Sequence, residues 1–146
     1  MTSEQLHIKK IKEHIEEIDD AILKGIEERP ITIEFHCSAC AIELLELYLH
    51  KLNKISPGKI IKHDWFKRPL PNQKIPPLIE RKLPVQFKNK EKIYNLIYTI
   101  EEKRNNLLYG KSSITDVKAV LNAFIKLRKL FKKKFEEEFG LELEFL

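Results

Sequence analysis

Isoleucines recur at steps of three and four along the start of this chain, and this spacing constrains the fold more than any other feature. They line one face of a helix predicted over about residues 3–28: Ile8, Ile11, Ile15, Ile18, Ile22 and Ile26. Segments 32–53, 89–109 and 114–139 carry apolar residues at the same spacing. The loops between the first and second helices and between the third and fourth helices are short, which favours antiparallel packing within each of these pairs. The sequence therefore predicts one all-α domain over residues 1–146, a four- to five-helix up-and-down bundle.

A long proline-rich connection separates the second and third predicted helices. Residues 54–88 contain six of the seven prolines, which forbid a long helix there. Short helical turns are expected around residues 60–66 and 77–82, and Pro30 is expected to stop the first helix. A compact domain rarely keeps so long a connection unless it is packed or functional.

Several residues mark predicted helix ends. Asn89 and Ser113 are good N-caps for the third and fourth helices. Gly110 is placed to end the third helix in the left-handed conformation, and Gly140 to end the fourth. The tail, residues 141–146, alternates like a strand but is too short to stand alone, so we expect it to fray or to pack on another chain.

The net charge of +5 is unevenly distributed. Residues 54–92 hold eleven basic against three acidic residues, and residues 111–135 hold eight against one. Such clustering suits a phosphate-bearing partner, although solvated lysine-rich helix faces are the common alternative. The Lys/Glu-rich composition leans thermophilic. The chain lacks a membrane-length apolar run and an apolar signal-peptide core, so we expect a cytoplasmic protein with no membrane partner.

The segment His36–Cys40 contains a CxxC pattern that raises the question of a zinc site. A structural zinc needs four ligands, and the sequence offers no second CxxC and no paired histidines in a loop. Cys37 and Cys40 also lie on the apolar stripe of the second helix, where cysteine packs as a small hydrophobe. We therefore predict core thiols, no metal site and no cofactor.

The other histidines suggest less. His63 and Asp64 lie together in the basic connection, where a histidine could act as a general base, but Trp65 and Phe66 beside them favour a structural loop anchor. The remaining isolated histidines are expected at the surface: His7, His14 and His50.

An arginine interrupts the apolar stripe of the third helix. The stripe runs through Ile93, Leu96, Ile97 and Ile100 to Arg104, and then to Leu107 and Leu108. A guanidinium on such a face needs a carboxylate, backbone carbonyls or a ligand anion. Glu43 or Glu46 of the second helix could pair with it, or the side chain could reach the bundle end. The nearby Asn105 and Tyr109 favour instead a polar pocket for an external anion.

The stretch Arg104-Asn105-Asn106-Leu107-Leu108-Tyr109-Gly110 resembles the signature of the HEPN superfamily, an arginine followed four to six residues later by a histidine, often RNxLVHGY. The pattern ACAIELLELYLHKL and the HD of the connection also resemble that family. The resemblance implies a helical bundle that dimerises with its motifs in an interfacial cleft, and it covers roughly residues 8–139. Many members are metal-independent endoribonucleases, notably toxins paired with a nucleotidyltransferase antitoxin.

The resemblance also implies roles for individual residues. Arg104 would hold the scissile phosphate and Asn105 would orient it, with Tyr109 completing the predicted catalytic cluster. Further nucleic-acid contacts are expected from Lys103, Asn106, Lys111 and His63.

This chain departs from the motif at its histidine. Tyr109 stands in that place, and Lys111 stands where a tyrosine often follows. A tyrosine with a pKa near ~10 is a poor base near neutral pH. We therefore expect a homodimer that binds RNA or a nucleotide, with nuclease activity weak or lost. The alternatives are an active toxin-type ribonuclease in which Tyr109 or His63 replaces the missing histidine, and a helical interaction protein with a structural Arg104.

Overall fold

The computed structural model describes residues 2–146, and their regular structure is entirely helical. The helices are α1 (Ser3–Lys24), α2 (Pro30–Lys51), α3 (Leu78–Lys82), α4 (Lys90–Glu102), α5 (Arg104–Leu108) and α6 (Ile114–Phe139). Turns of 3₁₀ helix occupy Ile26–Glu28 and His63–Trp65. None of the helices within the described residues has the length and apolarity needed to cross a membrane. The predicted all-α bundle is confirmed.

The first two helices are joined by a tight turn. The Thr2 side chain and Gln5 form a reciprocal capping box at the start of α1, and Gly25, with φ of 109°, ends it. The prediction that Pro30 stops the first helix is wrong. Gly25 ends α1, and Pro30 begins α2. A proline fits the first turn of a helix because its missing N–H would have no partner there.

Helix α2 is the centre of the molecule and packs against α1, α4, α5 and α6. It is apolar on most of its surface, which explains why it is surrounded. Lys51 at the end of α2 pairs with Glu4 at the start of α1. His36, near the start of α2, contacts His14 in the middle of α1. The two helices are therefore antiparallel, as predicted.

The predicted third helix is broken at Lys103. Helix α4 ends at Glu102, and α5 begins at Arg104, so one predicted helix over 89–109 is wrong in this detail. Gly110 is not left-handed either. Instead, the carbonyl of Asn105 accepts the backbone N–H groups of both Tyr109 and Gly110, and this closes the turn without a positive φ.

Helix α6 has the predicted ends. Ser113 caps its start by accepting the backbone N–H of Asp116, and Gly140 ends it in the left-handed conformation. Asn89 precedes α4 but does not cap it, because its side chain accepts a hydrogen bond from Lys134 instead.

The proline-rich connection is packed against the bundle. Ile61 and Phe66 are buried on either side of the turn His63–Trp65, and Ile79 and Leu83 are buried around α3. The two short helical turns predicted in this connection are present, as the 3₁₀ turn His63–Trp65 and as α3. The segment 62–66 is held in place and can contribute to a site.

The tail folds back on its own chain. Leu143 is buried, and Arg128 donates hydrogen bonds to the carbonyls of Phe145 at 2.7 Å and Leu146 at 3.2 Å. The alternating pattern of residues 141–146 thus serves packing against α6, and the expectation of fraying or packing on another chain is wrong.

Candidate functional site

Arg104 is the first residue of α5, and its side chain turns towards α2. It is half-buried, and Nη1 donates a hydrogen bond to Oγ of Ser38 at 3.1 Å. Across residues 2–146 it forms no ion pair, so the pairing considered with Glu43 or Glu46 is not made. Among the described residues, the hydroxyl of Ser38 therefore satisfies only part of the donor capacity of the guanidinium.

A chain of hydrogen bonds leads from Arg104 to His63. The hydroxyl of Ser38 donates to Oε1 of Glu101 at 2.5 Å, and Oε2 of Glu101 lies 3.0 Å from Nδ1 of His63. Glu101 is nearly enclosed, whereas the side chain of His63 is 43% exposed. The carboxylate therefore fixes the imidazole by one nitrogen and leaves the other free to face a ligand.

Glu34 is a second carboxyl group in this polar layer, one turn before Ser38 on α2. It is fully buried, and neither side-chain oxygen has a hydrogen-bond partner among the described residues. Burial raises its pKa to about 9, with Glu101 adding to the rise and Arg104 opposing it. Glu34 is consequently neutral at pH 7 and does not cancel the charge of Arg104.

Two adjoining cavities open onto this layer, and Arg104, His63 and Asp64 line both. The larger, about 410 Å³, lies between α2 and the connection. Its rim includes two exposed apolar side chains, Phe35 and Ile60. A ligand there would meet both charged and apolar side chains.

The smaller cavity, about 360 Å³, lies between the connection and the α4–α5 junction. Lys67, Arg68 and Asn105 contribute to its wall, and Arg68 pairs with Glu102 and covers the ring of Tyr98. Together the two cavities provide room for a ligand larger than a single phosphate.

The structure brings together some of the predicted site residues and separates others. Arg104, Asn105 and His63 line one continuous site. Tyr109 is 81% exposed, and it is absent from the described lining of both cavities. Lys103 pairs with Asp116 at 3.4 Å, and the two remaining predicted contacts lie exposed on the surface: Asn106 and Lys111.

Sequence reasoning missed Ser38, Glu101 and Glu34. The available signal was the spacing of Glu34 and Ser38, four residues apart on the most apolar helix, where polar side chains need a partner. Glu101 gave a similar but weaker signal, because it lies one helical turn after Ile97, at the edge of the apolar stripe of α4.

The histidines expected at the surface are more enclosed than predicted. His7 is buried against Glu43 at 2.6 Å, and the Nδ1 atoms of His14 and His36 lie 2.9 Å apart. His50 is half-buried, with its ring 5.1 Å from that of His7. These contacts join α1 to α2, and no periodicity within one helix could have revealed them.

The CxxC pattern has the predicted structural role. Cys37 and Cys40 are free, fully buried thiols on α2, and burial raises the pKa of each. Neither lies at a helix N-terminus or reaches water, so their positions match core packing.

Comparison of the chain with protein-family models, with curated proteins and with solved structures finds no match. A half-buried guanidinium can bind an anion, and an imidazole held by a carboxylate can carry a proton.

Proposed function

We propose that this protein binds a phosphate-bearing ligand, RNA or a nucleotide, in the two adjoining cavities, with Arg104 as the phosphate contact. The observation that carries the proposal is the state of Arg104: half-buried, hydrogen-bonded to Ser38, and open to both cavities. Five N–H donors in a planar fork match the oxygens of a phosphate.

The charge of the connection supports this proposal. Lys62 lines the larger cavity, and Lys67 and Arg68 line the smaller one. They belong to the segment 54–92, which has a large excess of basic residues. A polyanion would gain from these cations through counterion release, although Asp64 lies on both cavity walls and Arg68 already pairs with Glu102.

The apolar rim of the larger cavity supports a ligand that carries a base. Phe35 is 47% exposed, unusual for a phenylalanine, and lies on the same cavity wall as Ser38. A base stacked on an aromatic ring contributes about 1–3 kcal/mol whatever its sequence. The ligand class is therefore a nucleotide or single-stranded RNA rather than inorganic phosphate.

The proposed setting is a HEPN-like homodimer whose two sites face each other across a cleft, with a nucleotidyltransferase as a candidate partner. Nuclease activity is proposed to be weak or lost, since Tyr109 stands in place of the motif histidine and its side chain is 81% exposed. Light scattering of the purified protein tests the dimer directly.

The central experiment measures binding by fluorescence anisotropy with a labelled unstructured RNA, and by competition with mononucleotides. Arg104→Ala is expected to weaken binding about tenfold or more, because a charged hydrogen-bonding group is lost. Arg29→Ala is the matched control. This substitution removes the same charge from an exposed residue at the start of α2. Binding that weakens with salt in the wild type would support phosphate contacts.

The opposite result is equally specific. If Arg104→Leu leaves RNA and nucleotide binding unchanged and raises the melting temperature, the guanidinium is structural and the chain is a helical interaction protein. Competition by mononucleotides at concentrations comparable to RNA would favour the nucleotide as ligand.

A second candidate function, metal-independent ribonuclease, is favoured by the contact between His63 and Glu101. A histidine fixed at Nδ1 by a carboxylate, in a cavity shared with an arginine, has the parts needed for acid–base catalysis beside a phosphate. Cleavage of unstructured RNA in the presence of EDTA, abolished by His63→Ala and by Arg104→Ala, would support it. Binding without cleavage would leave the first proposal standing alone.

A further inference from the structure

Three side chains that sequence analysis did not connect meet beside the larger cavity, and two of them, Glu43 and Glu46, line its wall. His7 comes from α1, and Glu43 and Glu46 lie three residues apart on one face of α2. One donor atom from each, Nδ1 and two carboxylate oxygens, lies within 4.8 Å of the others. We propose that this cluster binds a divalent transition-metal ion such as Zn²⁺ or Mn²⁺.

The distances suit such an ion. Nδ1 of His7 lies 2.6 Å from Oε2 of Glu43 and 3.7 Å from Oε2 of Glu46. Ligands at ~2 Å from a tetrahedral metal are about 3.3 Å apart, a value that these two distances bracket. Small side-chain shifts therefore suffice to seat an ion.

The carboxylates are already oriented. Oε1 of Glu46 accepts the backbone N–H of Ile61 at 2.9 Å, which leaves Oε2 towards His7. Oε1 of Glu43 lies 3.7 Å from Nζ of Lys10, which leaves its Oε2 towards the same imidazole. Outer contacts of this kind hold metal ligands in place.

The electrostatics of the cluster favour a cation. The three side chains are each 15% exposed or less, and two carboxylates stand one turn apart with Lys10 as the nearby ammonium. A bound divalent ion would relieve the repulsion and the desolvation together.

The donor set also indicates which ions to expect. One imidazole nitrogen with two carboxylate oxygens suits Zn²⁺ or Mn²⁺ better than Mg²⁺ or Ca²⁺, which prefer oxygen donors alone. Three protein ligands leave a coordination position open. Because Glu43 and Glu46 line the cavity of Arg104, that position can face the cavity and take water or a ligand oxygen.

This inference is independent of the proposed phosphate site, and the metal alone tests it. The protein of residues 1–146, stripped with EDTA and dialysed, is titrated with Zn²⁺, Mn²⁺ and Mg²⁺ by calorimetry. We expect one equivalent of Zn²⁺ or Mn²⁺ to bind, with Mg²⁺ much weaker. His7→Ala, Glu43→Gln and Glu46→Gln should each weaken the binding at least tenfold.

Two further variants make the test specific. Lys10→Ala should strengthen metal binding, because it removes the ammonium that competes for Glu43. His14→Ala should leave it unchanged, although it disrupts the other close histidine pair, His14 and His36. The isosteric glutamine variants keep the test valid if His7→Ala fails to fold, as judged by circular dichroism. The proposal would be overturned if the protein bound no stoichiometric Zn²⁺ or Mn²⁺. It would also be overturned if His14→Ala abolished metal binding while Glu46→Gln retained it.

Discussion

The hydroxyl of Ser38 lies 2.5 Å from a carboxylate oxygen of Glu101, and this bond joins α2 to the last turn of α4. The same hydroxyl accepts a hydrogen bond from Arg104, the first residue after the helix break. One small side chain thus connects the anion of the site with its cation. The position of the guanidinium depends on both contacts.

Ser38→Ala is expected to lower the free energy of unfolding by about 1–3 kcal/mol, because it removes the hydrogen-bond partner of Arg104 and one of the two partners of Glu101. Urea denaturation measures the change. Ser56→Ala, in the exposed part of the connection, is the control and should stay within about 0.5 kcal/mol of the wild type. Equal effects of the two substitutions would contradict the linking role of Ser38.

Glu34→Gln is expected to stabilise the protein in a pH-dependent manner. The pKa of Glu34 is raised from 4.5 to about 9 by burial. As the pH rises through this window, the unfolded chain releases the proton and the folded chain keeps it, so wild-type stability falls. Glutamine does not titrate, so the advantage of the variant should grow from pH 5 to pH 8, reaching a few kcal/mol, on the order expected from linkage.

Urea denaturation at pH 5 and pH 8 measures this difference. Glu136→Gln, on the exposed face of α6, should show no growth in the difference with pH. A constant offset for Glu34→Gln would mean that Glu34 is ionised in the folded protein.

Phe35→Leu is expected to weaken binding of RNA or nucleotide about five- to a hundredfold, the range that corresponds to loss of one stacked base. Phe35→Tyr keeps the aromatic face and should bind nearly as the wild type does. Anisotropy titrations with the same labelled RNA provide the comparison. If leucine serves as well as tyrosine, the rim of the cavity contributes apolar area and no stacking.

The two thiols should resist alkylation in the folded protein. Cys37 and Cys40 are fully buried, and burial raises their pKa, so iodoacetamide meets neither an accessible sulfur nor a thiolate. Mass spectrometry should find both unmodified under native conditions and both modified in denaturant. Ser56→Cys supplies an exposed thiol as a positive control, and rapid native labelling of the original pair would contradict their placement in the core.

The periodicity of the sequence was sufficient for the helices. It predicted α1, α2, α4 and α6, because apolar faces at helical spacing must be buried wherever the partner helix lies. It failed at Lys103, where the apolar stripe continues through a break in the backbone hydrogen bonding. An apolar stripe indicates which face of a helix is buried. A break of one turn hardly changes that face, so the sequence pattern does not reveal the break.

The site was only partly predictable for a related reason. Arg104 was noticeable, since a charge on an apolar stripe violates the local pattern. His63 and Glu101 were not recognisable as partners, because 38 positions separate them and only the packing of the connection brings them together. The same applies to His7 and Glu43, which meet across two helices.

The burial of Ile61 and Phe66 has a practical consequence. They fasten the connection to the bundle at both ends of a short stretch whose intervening side chains at positions 62–64 border the cavities and stay largely outside the core. Substitutions at these three positions are therefore expected to leave the apolar core intact. Substitutions there can change the charge and shape of the cavity walls while the apolar contacts of Ile61 and Phe66 stay in place.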